Sequence, residues 1–384
     1  MNGYSTFFSH MYMRKIIFNK LTFLISTLLV FVACTKESLE PSVTSQLLSY
    51  IDAKGQKRPV LTVSDWEIKR YQILDSIQAV MGPIPSFQNL PSFDIQYLDI
   101  LKEENYIRYL VNFRVAENEF LPAYLYVPVS EGSHQKYPAM LALHQTAPWG
   151  KDDCDGGKTK NMAYARELAN RGYVVISPDY PPFGELSDYD FLNDSYLSGS
   201  MKGIFNHMRC VDLLQSMPNV DSERIGVIGH SLGGHNAMFV AAFDARLKIV
   251  VSSCGWTEFE YLAADGKLEE YSQDCYMPLI RDKYQLDGDK LPFNFHEIIA
   301  LFAPRCFFSN SPVNDVDEFN VEGVKVGIDR AKEAYHFLHA EDNLLVRYPM
   351  VGHDFPPEIR REAYRFIDEI FNHKPDNPDW LLDN

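Results

Sequence analysis

The sequence has too little positive charge to bind polyanions. Lys and Arg number 36 against 52 Asp and Glu, which gives a formal net charge of -16 at pH 7. Nucleic-acid-binding proteins neutralise phosphates with clustered basic side chains, and this chain has no basic stripe. The same deficit disfavours electrostatic docking on anionic lipid. We therefore expect no nucleic-acid partner, and we attribute the acidity to solubility.

Cysteine is also scarce, with six residues in the chain. None forms a C-x-x-C pair or a Cys/His cluster with metal-type spacing, so we expect no metal and no cofactor. Without Cys34, discussed next, an odd number remains, and at least one cysteine is then unpaired within the chain. Cys254 and Cys275 are the pair we would expect to bridge in an oxidising compartment.

Long hydrophobic runs are missing apart from a short one near the N-terminus. Basic residues within 14–20 precede an apolar stretch over 21–32, which Ala33 and Cys34 follow. This pattern is typical of an export signal, and it is shorter than the ~20 residues of a membrane span. Residues 31–34 resemble a bacterial lipobox, which implies that Cys34 is lipidated. We expect an exported protein anchored by lipid at the periplasm or cell surface; an ordinary signal peptide or anchor helix is the alternative.

The rest of the chain divides by composition and periodicity. Residues 35–64 are polar and contain Pro41, Gly55 and Pro59, as in a tether. Apolar residues from Trp66 recur at helical spacing as far as Gly82–Pro83. The predicted segments are a signal (1–34), a tether (35–64), an N-terminal helical segment (65–93), a catalytic domain (94–373) with an insertion (254–304), and a tail (374–384).

Strand patterns indicate an α/β fold. Alternating residues over 97–127 predict two or three antiparallel strands. From residue 136 onwards, apolar runs such as 173–178 and 247–253 alternate with helical segments. Runs without alternation are typical of parallel strands buried on both faces. We therefore expect a mostly parallel central sheet with helices on both faces, and an insertion between its sixth and seventh strands.

The sequence Gly229-His-Ser-Leu-Gly233 lies between an apolar strand and a helix. G-x-S-x-G in that setting is the nucleophile-elbow pattern, in which a sharp turn exposes the serine hydroxyl. Glycines leave room where side chains would collide with the turn. We therefore predict Ser231 as a nucleophile; the alternative is a glycine-rich turn with an incidental serine.

A serine hydroxyl needs a base, and the base needs an orienting acid. In this topology the histidine follows the last strand, and His353 in Val351–Phe355 has that position. The acid should follow an earlier strand, where Asp315 and Asp317 both occur. We favour Asp315 because it is nearer the strand end, and keep Asp317 and the more remote Glu258 as alternatives.

Two backbone N–H groups should hold the oxyanion of the reaction. Leu232 follows the nucleophile and supplies the first. The second is expected from the loop after the third strand, at Thr146 or at Gln145. We also expect His144, His230 and Trp256 to line the pocket, and His235 to pack beside the elbow rather than to act directly.

These motifs, in this order, resemble the α/β-hydrolase superfamily from about residue 93 to 371. The residues that carry the resemblance are Leu143–Thr146, Arg171–Asp179, Gly229–Gly234, Asp315 and Gly352–Asp354. The chain looks most like the branch with dienelactone-hydrolase-like, acetyl xylan esterase-like and prolyl-oligopeptidase-like serine hydrolases. The dienelactone hydrolases proper use a cysteine nucleophile, whereas this chain has Ser231.

The resemblance and the predicted triad imply a serine hydrolase of carboxylic esters. Its substrate would be a small ester or an acylated glycan, and its only link to a membrane would be the N-terminal lipid. A serine peptidase without the propeller of the prolyl oligopeptidases is the first alternative, and a non-catalytic binding protein is the second. Ser231 argues against the members of the superfamily that use an aspartate nucleophile at the elbow.

Overall fold

The computed structural model describes residues 46–129, 136–315 and 318–382. The predicted signal, Cys34 and Asp317 lie outside these ranges. Within the described part of the chain, no helix has both the length and the apolarity needed to cross a membrane.

The described residues form a nine-stranded sheet and a separate two-stranded hairpin. The strands are β1 Ser49–Ile51, β2 Lys57–Pro59, β3 Gln96–Lys102, β4 Tyr106–Ala116, β5 Glu119–Pro128, β6 Tyr137–Leu143, β7 Val174–Pro178, β8 Val220–His230, β9 Leu247–Ser253, β10 Cys306–Asn310 and β11 Leu344–Arg347. In the large sheet the strand order is β11-β10-β9-β8-β6-β7-β5-β4-β3.

The type of strand pairing changes once across the large sheet, from antiparallel to parallel at β7. The pairs β3/β4, β4/β5 and β5/β7 are antiparallel. The remaining pairs, from β7/β6 to β10/β11, are parallel. Parallel strands end at the same edge of a sheet, so the loops after β6, β8, β9, β10 and β11 meet there.

Helices cover both faces of the sheet, as the sequence predicts. Successive residues of β6 point to opposite faces, so Leu141 and Leu143 join one buried cluster while Met140 and Ala142 join the other. The helices are α1 Val63–Met81, α2 Asp152–Asp155, α3 Tyr164–Asn170, α4 Gly199–Ser216, α5 Leu232–Phe243, α6 Phe259–Ala264, α7 Leu268–Tyr271, α8 Leu279–Asp282, α9 Phe295–Phe302, α10 Val321–Phe337 and α11 Pro357–Ile370.

The tether prediction is wrong for residues 46–61. Strands β1 and β2 pair there, and Leu47 and Val60 are buried in the core. The Gln72 side chain of α1 donates to the Ile51 carbonyl at 2.6 Å and accepts from its N–H at 3.0 Å. The short apolar positions in a polar stretch therefore anchor a hairpin onto α1.

The insertion lies between β9 and β10, which are the seventh and eighth of the nine strands in chain order, or the sixth and seventh of the eight strands that follow β3. Four helices, α6 to α9, fold within it. The longest, α9, begins with a capping box at Asn294, and most of its residues are buried. The insertion is therefore packed structure, and part of it reaches the site described below.

The expected bridge between Cys254 and Cys275 is wrong, because both cysteines are free. Cys275 belongs to a segment fixed on the start of α4, where Gly199 and Ser200 donate to the Asp274 and Tyr276 carbonyls at 3.1 Å. Cys254 lies elsewhere, buried after β9 with its sulfur 3.4 Å from the Asp354 carbonyl oxygen. The two side chains belong to different neighbourhoods.

Candidate active site

Ser231 sits in a strained turn between β8 and α5. Its backbone has φ 54° and ψ -123°, a conformation that residues other than glycine seldom adopt. Its N–H donates to the Ser253 carbonyl at 2.8 Å, and its own carbonyl accepts from the His235 N–H at 2.9 Å. The surrounding backbone thus holds the turn at the edge of the sheet where the parallel strands end.

The two glycines of the motif are needed because the backbone segments touch. A Cβ on Gly229 would lie 2.2 Å from the Gly233 carbonyl carbon, and one on Gly233 would lie 2.0 Å from the Leu143 carbonyl oxygen. Helix α5 consequently starts directly against the ends of β6 and β8. Its first N–H groups have no acceptor within the helix and lie beside Ser231.

His353 and Asp315 form a hydrogen-bonded pair. Nδ1 of His353 lies 2.9 Å from Oδ1 and 3.0 Å from Oδ2 of Asp315. The carboxylate side chain is 2% exposed, while the imidazole is 25% exposed. The Phe319 ring lies parallel to the imidazole at 6.0 Å. A buried carboxylate on Nδ1 leaves Nε2 as the ring nitrogen able to take a proton from a nucleophile.

Two loops bring this pair together. After β10 and β11 the chain segments continue side by side, with the N–H of Val313 on the Pro349 carbonyl at 2.9 Å and that of Asn314 on the Val351 carbonyl at 3.1 Å. The segment beyond Asn314 thereby places Asp315 beside His353. The alternative acid Glu258 is occupied elsewhere, by His296 at 2.7 Å and Arg330 at 2.6 Å.

His353 also lies against the elbow. Its ring centroid is 4.8 Å from that of His230, the residue directly before Ser231. His230 is fully buried, and its Nδ1 lies 2.9 Å from the Ser253 Oγ. The predicted nucleophile, base and acid therefore meet at one edge of the sheet.

The loop after β6 presents the predicted oxyanion residues. The Gln145 side chain donates to Asp153 at 2.8 Å, and the Trp149 indole donates to the same carboxylate at 2.8 Å. The His144 ring stacks on Tyr180 at 3.9 Å. These contacts fix the loop, and Thr146 lies with Ser231 and Leu232 on the wall of one cavity.

That cavity has a volume of about 90 Å³. Its remaining walls are His235, Glu270, Tyr271, Tyr276, Glu318 and Phe319. Sequence reasoning missed the insertion residues among them, because nothing in the local pattern shows which side of the insertion faces the elbow. His235 is buried against Phe239 and Phe295.

The prediction of His144, His230 and Trp256 as pocket residues is wrong. All three are buried and none lines the cavity. Trp256 faces the interior, where its indole N–H donates to the Ser309 Oγ at 3.1 Å. A buried tryptophan needs such an acceptor, and Ser309 on β10 supplies it.

Burial keeps several histidines near the site uncharged. Desolvation lowers the pKa of His144 to about 4 and those of His207 and His235 to about 3. It lowers the pKa of His230 well below the usual value, with the nearby His353 adding to the effect. The site therefore has neutral imidazoles behind it at physiological pH.

Three potential metal ligands also meet beside the elbow. A ring nitrogen of His230, a ring nitrogen of His353 and the Cys254 sulfur all lie within 4.8 Å of one another. Sequence reasoning missed this group, because its members lie at or beyond the ends of three different strands and have no characteristic spacing.

Two family sequence models match parts of the chain. The model described as "Glucuronyl esterase, fungi" matches residues 203–339, and the "Dienelactone hydrolase family" matches residues 121–270. The second match agrees with the resemblance seen in the sequence. Both matched ranges include the elbow and the strand before it.

Two known proteins match the chain in sequence over part of its length. The chain is 27% identical to the YtaP protein of Bacillus subtilis (strain 168), over 69% of this chain and 88% of that one. It is 29% identical to the 4-O-methyl-glucuronoyl methylesterase of Hypocrea jecorina (strain QM6a), over 49% of this chain and 44% of that one. The chain thus spans less than half the length of the methylesterase.

Among solved structures, a glucuronoyl esterase from Solibacter usitatus superposes with a TM-score of 0.64 at 18% identity, covering 88% of this chain and 98% of that one. The fold is the α/β-hydrolase fold. The enzyme class expected from the sequence, a carboxylic ester hydrolase, agrees with these matches.

Proposed function

We propose that the chain hydrolyses carboxylic esters through a covalent acyl-enzyme, with Ser231 as nucleophile, His353 as base and Asp315 as the acid that orients it. The observation that carries this proposal is the buried Asp315 carboxylate on Nδ1 of His353, beside a serine in the strained elbow. Asp315 fixes the neutral tautomer with its proton on Nδ1, and it stabilises the imidazolium that forms in the reaction.

The proposed reaction has two halves. Nε2 of His353 takes the Ser231 proton while Oγ attacks the ester carbonyl; the same proton then passes to the departing alcohol. A water next gives its proton to His353 and attacks the acyl-enzyme; the tetrahedral intermediate then releases the carboxylic acid as His353 returns that proton to the Ser231 oxygen. The negative oxygen of each tetrahedral intermediate would accept from the N–H of Leu232 and from that of Thr146 or Gln145.

The cavity lining favours an uncharged, hydroxyl-bearing ester. Its described walls contain two glutamates, Glu270 and Glu318, and two tyrosines, but no lysine or arginine. Such walls can bond to sugar hydroxyls, and they repel the carboxylate released by hydrolysis. Because the similar proteins include glucuronoyl esterases, we propose an esterified or acylated glycan as substrate.

The test uses p-nitrophenyl acetate, butyrate and octanoate together with benzyl glucuronate, methyl glucuronate and an acetylated xylo-oligosaccharide. Ser231→Ala and His353→Ala should each abolish hydrolysis of whichever ester the folded wild type cleaves. Cleavage of the glucuronate esters alone would assign the ester to the uronic acid, and cleavage of the acetylated sugar would assign a deacetylase. A folded protein that cleaves peptide arylamides but none of these esters would be a peptidase.

We also propose that the chain is exported and held at a membrane by lipid on Cys34, as the basic and apolar segments before it suggest. Expression in a bacterium that processes lipoproteins, with labelled palmitate, provides the test. Wild type should carry label and fractionate with membranes, whereas Cys34→Ala should lose the label. An unlabelled wild type in the soluble exported fraction would favour an ordinary signal peptide.

A further inference from the structure

The cluster of His230, Cys254 and His353 has the ligand chemistry of a site for a soft divalent cation. Imidazole nitrogen and thiolate sulfur are the ligands that Zn²⁺ prefers, usually in a tetrahedron. Two of the three residues are buried, and the ligand atoms lie within 4.8 Å of one another. Burial keeps competing water away from such ligands.

His230 supplies the independent sign of a ligand. Its Nδ1 is engaged by the Ser253 Oγ at 2.9 Å, and that oxygen also accepts from the Asn310 amide at 2.8 Å. Its Nε2 is buried and has no hydrogen-bond partner among the described residues. A buried polar atom without a partner is costly, and a cation at this position would satisfy it. Fixing of one ring nitrogen by a neighbour is also what orients histidine ligands of metals.

Neighbouring groups also hold the other two ligands, His353 and Cys254, in place. Asp315 holds Nδ1 of His353, which leaves Nε2 as the nitrogen that could bind a cation, as in carboxylate–imidazole–metal arrangements. The Cys254 thiol is buried and donates to the Asp354 carbonyl oxygen at 3.4 Å. A bound cation would release the thiol proton to solvent, because a coordinated thiol is deprotonated.

We propose that Zn²⁺, or another soft divalent cation, binds His230, Cys254 and His353 and reversibly inhibits the enzyme. Tetrahedral Zn²⁺ holds its ligand atoms roughly 3.5 Å apart, so the cluster must contract by about 1 Å. The His353 ring is 25% exposed and can make this movement. The ion would bind the nitrogen lone pair of His353 that accepts the serine proton in the proposed mechanism. The inhibition therefore rests on the proposed function, whereas the binding does not.

Binding is measured first, without reference to activity. The full chain, purified without a polyhistidine tag, is titrated with Cd²⁺ while ultraviolet thiolate-to-metal absorption is recorded, and with Zn²⁺ by calorimetry. We expect one ion per chain and a thiolate band. Cys254→Ser should lose the band and at least tenfold in affinity. The matched control is Cys275→Ser, which removes a half-buried thiol outside the cluster and should change neither.

His230→Asn is the second variant, and it should also weaken Zn²⁺ binding at least tenfold if the protein folds. Binding that is equally tight in Cys254→Ser and His230→Asn would overturn the site.

Zn²⁺ should lower the ester-cleavage rate of wild type, and EDTA should restore it. The concentration for half-inhibition should rise tenfold or more in Cys254→Ser. Binding at the cluster without inhibition would overturn the regulatory part, and a protein inactive on every ester would contradict the proposed function but leave the binding result intact.

Discussion

At the level of single residues, the elbow requires glycine, which has no side chain, at two positions. Gly233→Ala would place a methyl group 2.0 Å from the Leu143 carbonyl oxygen, so the turn must open. We expect a loss of roughly 1–3 kcal/mol in the free energy of unfolding and a near-complete loss of ester hydrolysis. Gly203→Ala in α4 is the control, because its Cβ meets only a ring carbon at 3.7 Å. That change should stabilise the protein by about 0.4–1 kcal/mol in a urea titration.

The choice between the two candidate acids can be tested by matched substitutions. Asp315→Asn leaves the shape of the side chain but removes the charge that holds the His353 tautomer, and we expect kcat to fall by roughly 10⁴-fold. Asp317→Asn should retain most of the activity. The opposite ranking in steady-state kinetics would transfer the role to Asp317.

The buried histidines give stability a defined pH dependence. His144 and His207 have folded pKa values of about 4 and about 3, below the ordinary value of 6.5. Only the unfolded chain takes up their protons as the pH falls below 6.5, so stability is full above that pH and declines beneath it. Each histidine adds up to about 1.4 kcal/mol per pH unit to this decline.

His207→Phe tests this dependence, since His207 lies edge-on to Tyr180 and neither of its ring nitrogens has a hydrogen-bond partner among the described residues. Urea unfolding of the variant between pH 6.5 and 5 should show a shallower decline than wild type. An unchanged slope would mean that His207 is already protonated in the folded protein or stays neutral in the unfolded one.

The sequence could identify residues whose role is indicated by the residues next to them in the chain. Ser231 stands inside a local motif, and His353 follows the last strand directly, so both could be singled out. Glu270 and Tyr276 could not, because they reach the cavity through the packing of the insertion. Trp256 was misassigned for a related reason. The sequence shows an aromatic residue after β9, but it does not show that the indole N–H donates to the Ser309 hydroxyl in the interior.

At the level of elements, the hairpin of β1 and β2 is part of the folded domain. Leu47→Ala removes a side chain that is 2% exposed, and we expect the free energy of unfolding to fall by about 2–4 kcal/mol. Leu61→Ala, at a position 75% exposed, should change it by less than about 0.5 kcal/mol. Equal, small effects in a thermal melt would show that the hairpin does not contribute to stability.

The sheet was predictable and the hairpin was not, for one physical reason. Parallel strands such as Val174–Pro178 are buried on both faces and have continuous apolar runs. Strands β1 and β2 have three residues each and are largely exposed, so their sequence resembles a polar linker. Their stability comes from contacts with α1, which a local pattern does not contain.

At the level of the whole molecule, a buried ion pair joins α11 to α3. Arg360 donates to Glu167 at 3.0 and 3.1 Å, and the side chains are 1% and 0% exposed. Arg360→Met leaves a buried carboxylate without its cation and should cost about 3–5 kcal/mol of stability. Arg365→Met in the same helix breaks an exposed pair with Asp379 and should cost less than about 1 kcal/mol. Adding Glu167→Gln to Arg360→Met should recover part of the loss.

The turn at Ser231 also bears on how this molecule could acquire a different chemistry. Its geometry is imposed by the backbone around Gly229 and Gly233, not by the hydroxyl. Cysteine has the same branching as serine and would present sulfur from the same position, whereas the β-branched threonine is disfavoured at φ 54°. A single replacement could thus exchange an oxygen nucleophile for a sulfur one while the fold stays the same, so the scaffold can change its reaction without changing its architecture.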